Sequence, residues 1–277
     1  MPYFGCHLSA AGGYRAMVNT AISIGADTVQ FFTRNPRGSR AKAIDPADAQ
    51  AAVEIMSAHS FGPVVAHGPY TMNLCTKDPE ARAFAAQVLA EDLRRASLLP
   101  GCLYNFHPGS HVGQGLSTAV CQIAQALEAA LAQDLAVPVL LETMAGKGTE
   151  VGGRFEELAQ ILAAVPSPLL GVCLDTCHIW DGGYDLAENL SGVLEEFDRV
   201  IGLPRLKAIH INDSKHSLFS KKDRHACLGH GEIGLAALTA LARHPALSGL
   251  PMILETPNDL SGYAREIAVL RGACSPS

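Results

Sequence analysis

The sequence predicts a single (β/α)8 TIM barrel over residues 1–277, with the last few residues disordered. Eight short apolar segments recur at roughly the spacing of one βα unit. Amphipathic segments with helical spacing lie between them. No linker, change in composition or block of charge divides the chain, and barrels of this length commonly form one domain.

The predicted strands are short runs in which apolar residues predominate. In chain order they span residues 3–8, 28–32, 63–66, 103–106, 138–141, 171–174, 206–211 and 252–254. An open, doubly wound sheet is the alternative fold, but such sheets usually have fewer strands and leave no place for an eighth.

The predicted helices follow from apolar residues that recur on one side of a helix. The clearest segments are 79–99, with Phe84, Val88, Leu89 and Leu93 on one side, and 118–131, with Val120, Ile123, Leu127 and Leu131. Pro46 and Pro79 stand near the first turn of their helices, where a missing N–H costs little.

Composition restricts the class of protein. With 48% apolar and 17% charged residues, the chain favours a large core over disorder. It shows neither a leader pattern nor an apolar run of about 18–20 residues, which a membrane helix needs. We therefore expect a cytoplasmic monomer without membrane attachment.

Histidines and carboxylates lie at or just after the ends of six consecutive predicted strands, from the third to the eighth. Two more lie in the loop after the seventh strand. They are His67, His107, Glu142, Asp175, His178, His210, Asp223, His225 and Glu255. The C-terminal ends of all barrel strands meet at one face, so we expect these side chains to cluster there. Because such groups are costly to bury unpaired, packing does not explain them. A set of imidazoles and carboxylates without thiolates predicts catalytic zinc, manganese or iron.

The size of the set predicts more than one ion. A single zinc takes about four ligands, whereas three ions sharing a carboxylate would use all nine. Structural roles are assigned to the remaining histidines and to one acid: His7, His59, His111, His216, His230, His244 and Glu232. Asp213 fits either a ligand or a group that orients His210.

Motifs along nearly the whole chain resemble the endonuclease IV family of apurinic/apyrimidinic endonucleases, within the xylose isomerase-like TIM barrel superfamily. They are HLSAAGG (7–13), FTRNPR (32–37), HGPY (67–70), NFHPGSH (105–111), LETMAG (141–146), LDTCH (174–178), HINDSK (210–215), DRH (223–225) and LET (254–256). Each motif alone is modest, but their joint order and spacing are specific. Thr71 and His230 depart from the family pattern.

The resemblance implies three Zn²⁺ per chain, with Mn²⁺ as an alternative ion at one site. The implied first site is His67, His107 and Glu142; the second is Glu142 as a bridge, with Asp175, His210 and Glu255; the third is His178, Asp223 and His225. Glu142 is thus the implied catalytic residue, as the bridging ligand of a metal centre that holds the attacking hydroxide.

The implied reaction is hydrolysis of DNA 5′ to an abasic site, leaving a 3′-hydroxyl, together with trimming of blocked 3′ ends in base excision repair. Double-stranded DNA carrying such damage is the implied partner. Residues matching Arg37 and Tyr70 help to flip out the abasic nucleotide in this family, and flipping costs less at a lesion that already lacks its base. Lys215, Lys221, Lys222 and Arg224 are further candidates for contacts with the DNA backbone.

Other functions remain as alternatives at this point. The net charge of −6 is unusual for a nucleic-acid binder, although three divalent cations would offset it. A metal-dependent sugar isomerase or epimerase on the same barrel is the main alternative, and a non-catalytic metal- or DNA-binding protein is a weaker one. The extra triad of His178, Asp223 and His225 favours the nuclease.

Overall fold

The computed structural model describes residues 1–38 and 40–275, and its strands and helices alternate along the chain. The strands are β1 Tyr3–Cys6, β2 Gln30–Phe32, β3 Val65–His67, β4 Leu103–Phe106, β5 Val139–Glu142, β6 Leu170–Asp175, β7 Leu206–His210, β8 Asp213–Ser214, β9 His225–Ala226 and β10 Pro251–Leu254. The helices are α1 Tyr14–Ser23, α2 Pro46–Ala58, α3 Pro79–Ala96, α4 Leu116–Leu131, α5 Phe155–Ala164, α6 Thr176–Gly182, α7 Leu190–Val200, α8 Leu235–Ala242 and α9 Leu260–Cys274.

Eight parallel strands within these described residues form a nearly closed barrel, in the order β1-β10-β7-β6-β5-β4-β3-β2. The two ends of this order meet at a parallel bridge between His7 and Gln30, where the Leu8 amide donates to the Gln30 carbonyl at 2.8 Å. The (β/α)8 barrel is therefore confirmed over the open sheet. The short strands β8 and β9 pair antiparallel outside the barrel wall.

Each predicted strand overlaps an observed barrel strand, and the two clearest predicted helices correspond to α3 and α4. Pro46 and Pro79 begin α2 and α3, as expected. Asp45 and Asp78 cap these helices by accepting hydrogen bonds from backbone amides of the first turn, which fixes where each helix starts. The prediction of disordered final residues concerns Pro276 and Ser277, which lie outside the described residues.

The interior of the barrel changes from apolar to polar toward the C-terminal ends of the strands. A small apolar cluster fills its lower part: Val65, Leu103, Leu140, Cys173, Ala208 and Ile253. Successive side chains of a strand point to opposite sides, so the residue two positions later also faces inward. Those next inward residues are His67, Asn105, Glu142, Asp175, His210 and Glu255. The strand register thus places a polar layer directly above an apolar floor.

The rest of the core lies between the strands and the surrounding helices, where residues such as Phe31, Leu89 and Phe197 are buried. Over the described parts of the chain, none of the helices combines the length and apolar character that crossing a membrane requires.

Candidate metal centre

The structure brings all nine predicted ligand residues together at the C-terminal end of the barrel. In the described part of the chain they form three groups, and within each group the candidate ligand atoms lie within 4.8 Å of one another. The groups are His67, His107 and Glu142; Glu142, Asp175, His210 and Glu255; and His178, Asp223 and His225. We call these the first, second and third groups. A further combination, Asp175, Cys177 and His225, draws on two of the same residues.

Glu142 lies at the centre of the cluster because β5 ends with its side chain pointing into the barrel. Its Oε2 is 3.2 Å from His67 Nε2 and 3.4 Å from His107 Nε2. Its Oε1 is 3.3 Å from His210 Nδ1, so the two oxygens face different groups. Asn105 donates to Oε2 at 2.6 Å and holds the carboxylate in this orientation. Glu142 is therefore placed to bridge the first and second groups.

The second group surrounds the Nδ1 atom of His210. This nitrogen is 3.2 Å from Glu255 Oε2 and 3.6 Å from Asp175 Oδ2. Asn212 donates to the same Asp175 oxygen at 2.8 Å and accepts a hydrogen bond from the Glu255 backbone amide at 2.8 Å. Carboxylates from β6 and from the end of β10 thus converge on a histidine of β7.

The third group depends on the start of α6 and on the segment between β8 and β9. Asp175 caps α6 by accepting a hydrogen bond from the His178 amide at 2.7 Å, which brings His178 onto the side of the cluster. His178 Nε2 lies 3.1 Å from Asp223 Oδ1, and His225 Nε2 lies 3.7 Å from the same oxygen. The Asp223 amide donates to the buried Asp181 at 2.6 Å, so the segment is tied to α6.

Hydrogen bonds on the outer side of four imidazole rings fix their orientation. Three rings face backbone carbonyls through Nδ1: His67 with Gly68 at 2.6 Å, His178 with Thr143 at 2.9 Å and His225 with Glu255 at 3.2 Å. His210 faces the Gln30 side chain through Nε2 at 2.6 Å. In a neutral ring such a bond places the proton on the outer nitrogen and leaves the lone pair of the other nitrogen for a metal.

Buried atoms without partners test whether these residues fit a metal. Within residues 1–38 and 40–275, seven buried side-chain atoms have no hydrogen-bond partner, and three of them are Glu142 Oε1, His210 Nδ1 and His225 Nε2. Buried polar atoms are normally satisfied, and an exception calls for an explanation. These three atoms belong to the proposed ligand groups, where each lies among the other candidate ligand atoms, as a ligand of a cation would. The residues therefore fit a metal centre.

Electrostatic interactions within the cluster favour the charged forms of its acids. Burial opposes ionisation of Glu142, but His107 and His210 outweigh it and hold the pKa of this carboxyl well below its usual range. Burial likewise opposes ionisation of Glu255, and His210 and His7 lower the pKa of that carboxyl well below its usual range. Both side chains are therefore carboxylates at neutral pH, which is the form that binds cations.

Several residues that contact the candidate ligands were given no role in the sequence analysis, among them Gln30, Asn105 and Lys147. Gln30 donates to Glu255 at 2.6 Å, and Lys147 donates to Asp223 at 2.8 Å. The available signal for Gln30 and Asn105 was a single amide within an otherwise apolar strand segment. Lys147 gave no comparable signal, because its loop follows β5 while Asp223 is distant in sequence.

The structure also gives roles to two residues near the set. Asp213, which fitted either a ligand or a group that orients His210, has neither role. Its carboxylate accepts hydrogen bonds from the backbone amides of Gly229, Gly231 and Ile233, each at 3.0 Å. It anchors the loop before α8. His7 keeps the structural role assigned to it, with Nδ1 3.0 Å from Gln30 Nε2.

The candidate DNA contacts lie around the open side of the cluster. Tyr70 is 55% exposed, and its ring centroid lies 5.5 Å from that of His107 and 5.0 Å from that of Phe32. Its amide donates to the Pro36 carbonyl at 3.1 Å, which ties it to the loop of the exposed Arg37.

The further candidates Lys215, Lys221, Lys222 and Arg224 are all exposed. The Lys215 amide donates to the Arg224 carbonyl at 2.9 Å beside the β8–β9 pair. A cavity of about 950 Å³ opens between residues 7–14 and the loop after β2, and its lining includes Arg34, Arg40 and Lys42. Thr71 and His230 are both exposed and belong to none of the ligand groups.

Comparison with known proteins agrees with this architecture. The family described as xylose isomerase-like TIM barrel matches residues 18–273. The probable endonuclease 4 of Clostridium botulinum is 53% identical over 97% of this chain and 98% of its own, and that of Akkermansia muciniphila is 53% identical over 98% of each chain.

Among solved structures, endonuclease IV from Thermus thermophilus is similar with a TM-score of 0.87, at 37% identity over 98% of both chains. A D-tagatose 3-epimerase-like protein reaches a TM-score of 0.73 at only 17% identity, which shows the shared fold alone. The chain belongs to the endonuclease IV family of the xylose isomerase-like TIM barrels.

Proposed function

We propose that this chain is a zinc-dependent endonuclease that hydrolyses DNA 5′ to abasic sites, leaves a 3′-hydroxyl and trims blocked 3′ ends in base excision repair. The observation that carries the proposal is the cluster of nine residues in three groups, two of which share Glu142. The endonuclease 4 names of relatives at about 50% identity support the reaction class. We further expect a cytoplasmic monomer.

The chemistry of the donors supports zinc. Imidazole nitrogens and carboxylate oxygens are its usual ligands at catalytic sites, where the number of protein ligands leaves a position open. The first and third groups offer three residues each, and the second offers four. We therefore propose three ions per chain, with Mn²⁺ as an alternative at one site. When bound, such ions would lower the pKa of a water molecule toward about 7 and offset charge on the phosphate.

The burial of the cluster indicates the side from which a phosphate would approach. The side chains of His67, Asp175 and His210 are almost fully buried. Those of His107 and Asp223 are 25% and 22% exposed. The phosphate would therefore enter between the first and third groups, above Glu142. The protein side chains elsewhere keep bulk water away, which strengthens electrostatic interactions with the reacting group.

The residues around this opening suit damaged DNA. The Tyr70 ring packs against Phe32 and keeps more than half of its surface exposed, so it is held in place yet available to the DNA. We propose that it contacts the strand at the abasic nucleotide, where unstacking costs least. Arg37, Lys215 and Arg224 extend from loops after β2 and around β8–β9, where they would contact backbone phosphates.

The sugar isomerase alternative has less support. The epimerase structures share the barrel at 12–18% identity, which carries no inference about chemistry. The second group alone resembles the smaller ligand set expected of such an enzyme, whereas the third group has no role there. The complete three-group cluster therefore favours the nuclease.

Incision of a defined duplex tests the proposal. A zinc-loaded sample is incubated with a duplex carrying one abasic analogue, and the products are sized at single-nucleotide resolution. We expect one chelator-sensitive cut on the 5′ side, a 3′-hydroxyl product and no cut in a matched undamaged duplex. A cut on the 3′ side, or equal cutting of both duplexes, would contradict the proposal.

A further inference from the structure

The side chain of Gln30 connects two residues of the second group. It is fully buried where β2 meets β1. Its Oε1 accepts a hydrogen bond from His210 Nε2 at 2.6 Å, and its Nε2 donates to Glu255 Oε1 at 2.6 Å. A carboxylate only accepts hydrogen bonds, so the contact with Glu255 defines which end of the amide carries nitrogen. The orientation of Gln30 therefore follows from its partners.

The contact with His210 selects the form of its ring. Neutral imidazole carries one N–H, and donation to Gln30 Oε1 places that proton on Nε2. The lone pair of Nδ1 is then free, and this atom is buried without a hydrogen-bond partner in the described residues. The nearest carboxylate oxygens, from Glu255 and Glu142, are 3.2 and 3.3 Å away. Gln30 thus directs the coordinating nitrogen toward the middle of the second group.

The contact with Glu255 acts on the other ligand in the same way. With Oε1 held by Gln30, the second oxygen, Oε2, is the one that faces His210 Nδ1. Hydrogen bonds to the outer atoms of ligands commonly determine ligand orientation and metal affinity. One amide therefore acts on ligands from two strands, β7 and the end of β10, although it belongs to neither.

We propose that Gln30 is a positioning residue that presents His210 Nδ1 and Glu255 Oε2 to the metal of the second group. The inference rests on the proposed function, since it takes these two residues as ligands. It adds a residue of β2, a strand that contributes none of the nine proposed ligands, to the machinery of the centre.

Two variants separate the contacts of Gln30. Gln30→Met has a similar length and lacks the hydrogen bonds to His210 and Glu255 and the contact with His7. Gln30→Glu keeps an acceptor for His210 but loses the N–H donors that face Glu255 and His7. Val29→Ala is the control, because Val29 directly precedes β2, is buried in the main core and belongs to none of the ligand groups, so its truncation lowers stability without removing a contact of the cluster.

Zinc affinity, measured by competition with a chelator of known affinity, is the first readout. We expect Gln30→Met to lower the affinity for one of the bound zinc ions by about 10–100-fold. This is the usual effect of losing a residue that hydrogen-bonds a metal ligand. Val29→Ala should bind zinc as the wild type does. Wild-type affinity in Gln30→Met would overturn the inference while leaving the proposed function intact. A wild-type protein that binds no zinc would instead overturn the proposed function, and the inference with it.

Nitrogen NMR of the histidines in the zinc-loaded protein is the second readout, and it does not depend on any variant folding. We expect the His210 proton on Nε2, in slow exchange with solvent. Gln30→Glu should keep this signature, whereas Gln30→Met should exchange the proton faster. A wild-type His210 protonated on Nδ1 would overturn the inference.

Discussion

Lys147 Nζ lies 2.8 Å from Asp223 Oδ2, so the two oxygens of this carboxylate serve different partners. The other oxygen, Oδ1, lies 3.1 Å from His178 Nε2 within the third group. Lys147 is also 3.4 Å from Glu150, which keeps it on the loop after β5. The lysine therefore sets the rotation of the Asp223 side chain and leaves one oxygen directed at the third group.

Replacing this lysine should weaken metal binding at the third group only. We expect Lys147→Met to lower the affinity for one ion by about 10–100-fold, because Asp223 loses the partner that orients it. Zinc content after dialysis at a fixed free zinc concentration measures the effect. Lys222→Met, at an exposed position one residue before Asp223, should retain all the zinc. Equal zinc loss in both variants would argue against an orienting role for Lys147.

Glu142→Gln should reduce the rate of incision by at least about 100-fold. Replacing a residue that only hydrogen-bonds a metal ligand already lowers metal affinity or activity by about 10–100-fold, and Glu142 is itself a proposed ligand. The amide lacks the charge and the second oxygen needed to join the first and second groups. Binding of abasic DNA should largely survive, because Arg37 and Lys215 lie outside the ligand groups. Single-turnover incision and fluorescence anisotropy measure the two effects. Glu128→Gln, at an exposed position of α4, is the control, and unchanged incision in Glu142→Gln would remove the bridging role.

The double change Asp223→Ala, His225→Ala should lower zinc content by about one ion, because neither residue belongs to the first two groups. Incision should fall severely, whereas the circular dichroism spectrum should persist, since the barrel strands are untouched. Arg224→Ala, which lies between the two residues and is exposed, should keep its zinc. Full zinc content and wild-type incision in the double variant would contradict the three-ion proposal and restore the sugar isomerase alternative.

Arg37→Ala should weaken binding of abasic DNA more than it slows the chemical step. Losing a hydrogen bond to a charged group costs about 1.5–3 kcal/mol, which corresponds to roughly 10–100-fold in affinity. Turnover at saturating DNA should stay close to wild type, because Arg37 is exposed and belongs to none of the ligand groups. Arg199→Ala, at an exposed position of α7, controls for the loss of one positive charge. If affinity holds while saturated turnover collapses, Arg37 acts in the reaction itself.

Zinc binding should release protons at pH 7. Burial opposes the charged form of His178, but Asp175, Asp223 and Glu142 outweigh it and raise the pKa of this imidazole well above 6.5. The pKa of His210 is raised in the same direction, against burial, by Cys173, Glu255 and Glu142. Binding requires neutral imidazoles, so apparent zinc affinity should rise with pH above about 6.5 until the raised pKa values are passed.

Calorimetry in two buffers of different ionisation enthalpy counts the released protons.

The stability of the metal-free protein should depend on pH in the opposite direction. A raised folded-state pKa adds stability that is complete below about pH 6.5 and is lost as the pH rises through the folded-state values. Zinc affinity that does not change between about pH 6 and pH 8 would contradict this assignment of protonation states.

The strands and the nine clustered residues were predictable because both follow from short-range patterns. Apolar segments mark the strands, and a parallel barrel necessarily collects the residues at their C-terminal ends. The pattern did not show which strand residues face inward. The alternation of side chains along a strand identifies the inward residues only once one inward residue of that strand is known. The structure identifies such residues in the apolar floor, among them Val65, Leu140 and Ala208.

The missed residues depend on contacts between segments distant in sequence. Gln30 and His210 are 180 residues apart, and Lys147 and Asp223 are 76 apart. Asp213 was ambiguous for the same reason, since its partners are backbone amides of residues 229–234. Amide and backbone partners carry no charge pattern that the sequence would reveal, so their roles emerge only from the folded register.

The bridge between His7 and Gln30 connects the closure of the barrel sheet with the ligand groups inside the barrel. A sheet closed by an isolated bridge opens most readily there, and such local opening is what permits amide hydrogen exchange. The amide of Leu8 reports this opening, because it donates to the carbonyl of Gln30. The Gln30 side chain is joined to His210 and Glu255, so a cation held by these two proposed ligands would stabilise the closed sheet by mass action. Loading the centre should thus protect the backbone amide of Leu8, which follows β1 and belongs to none of the ligand groups.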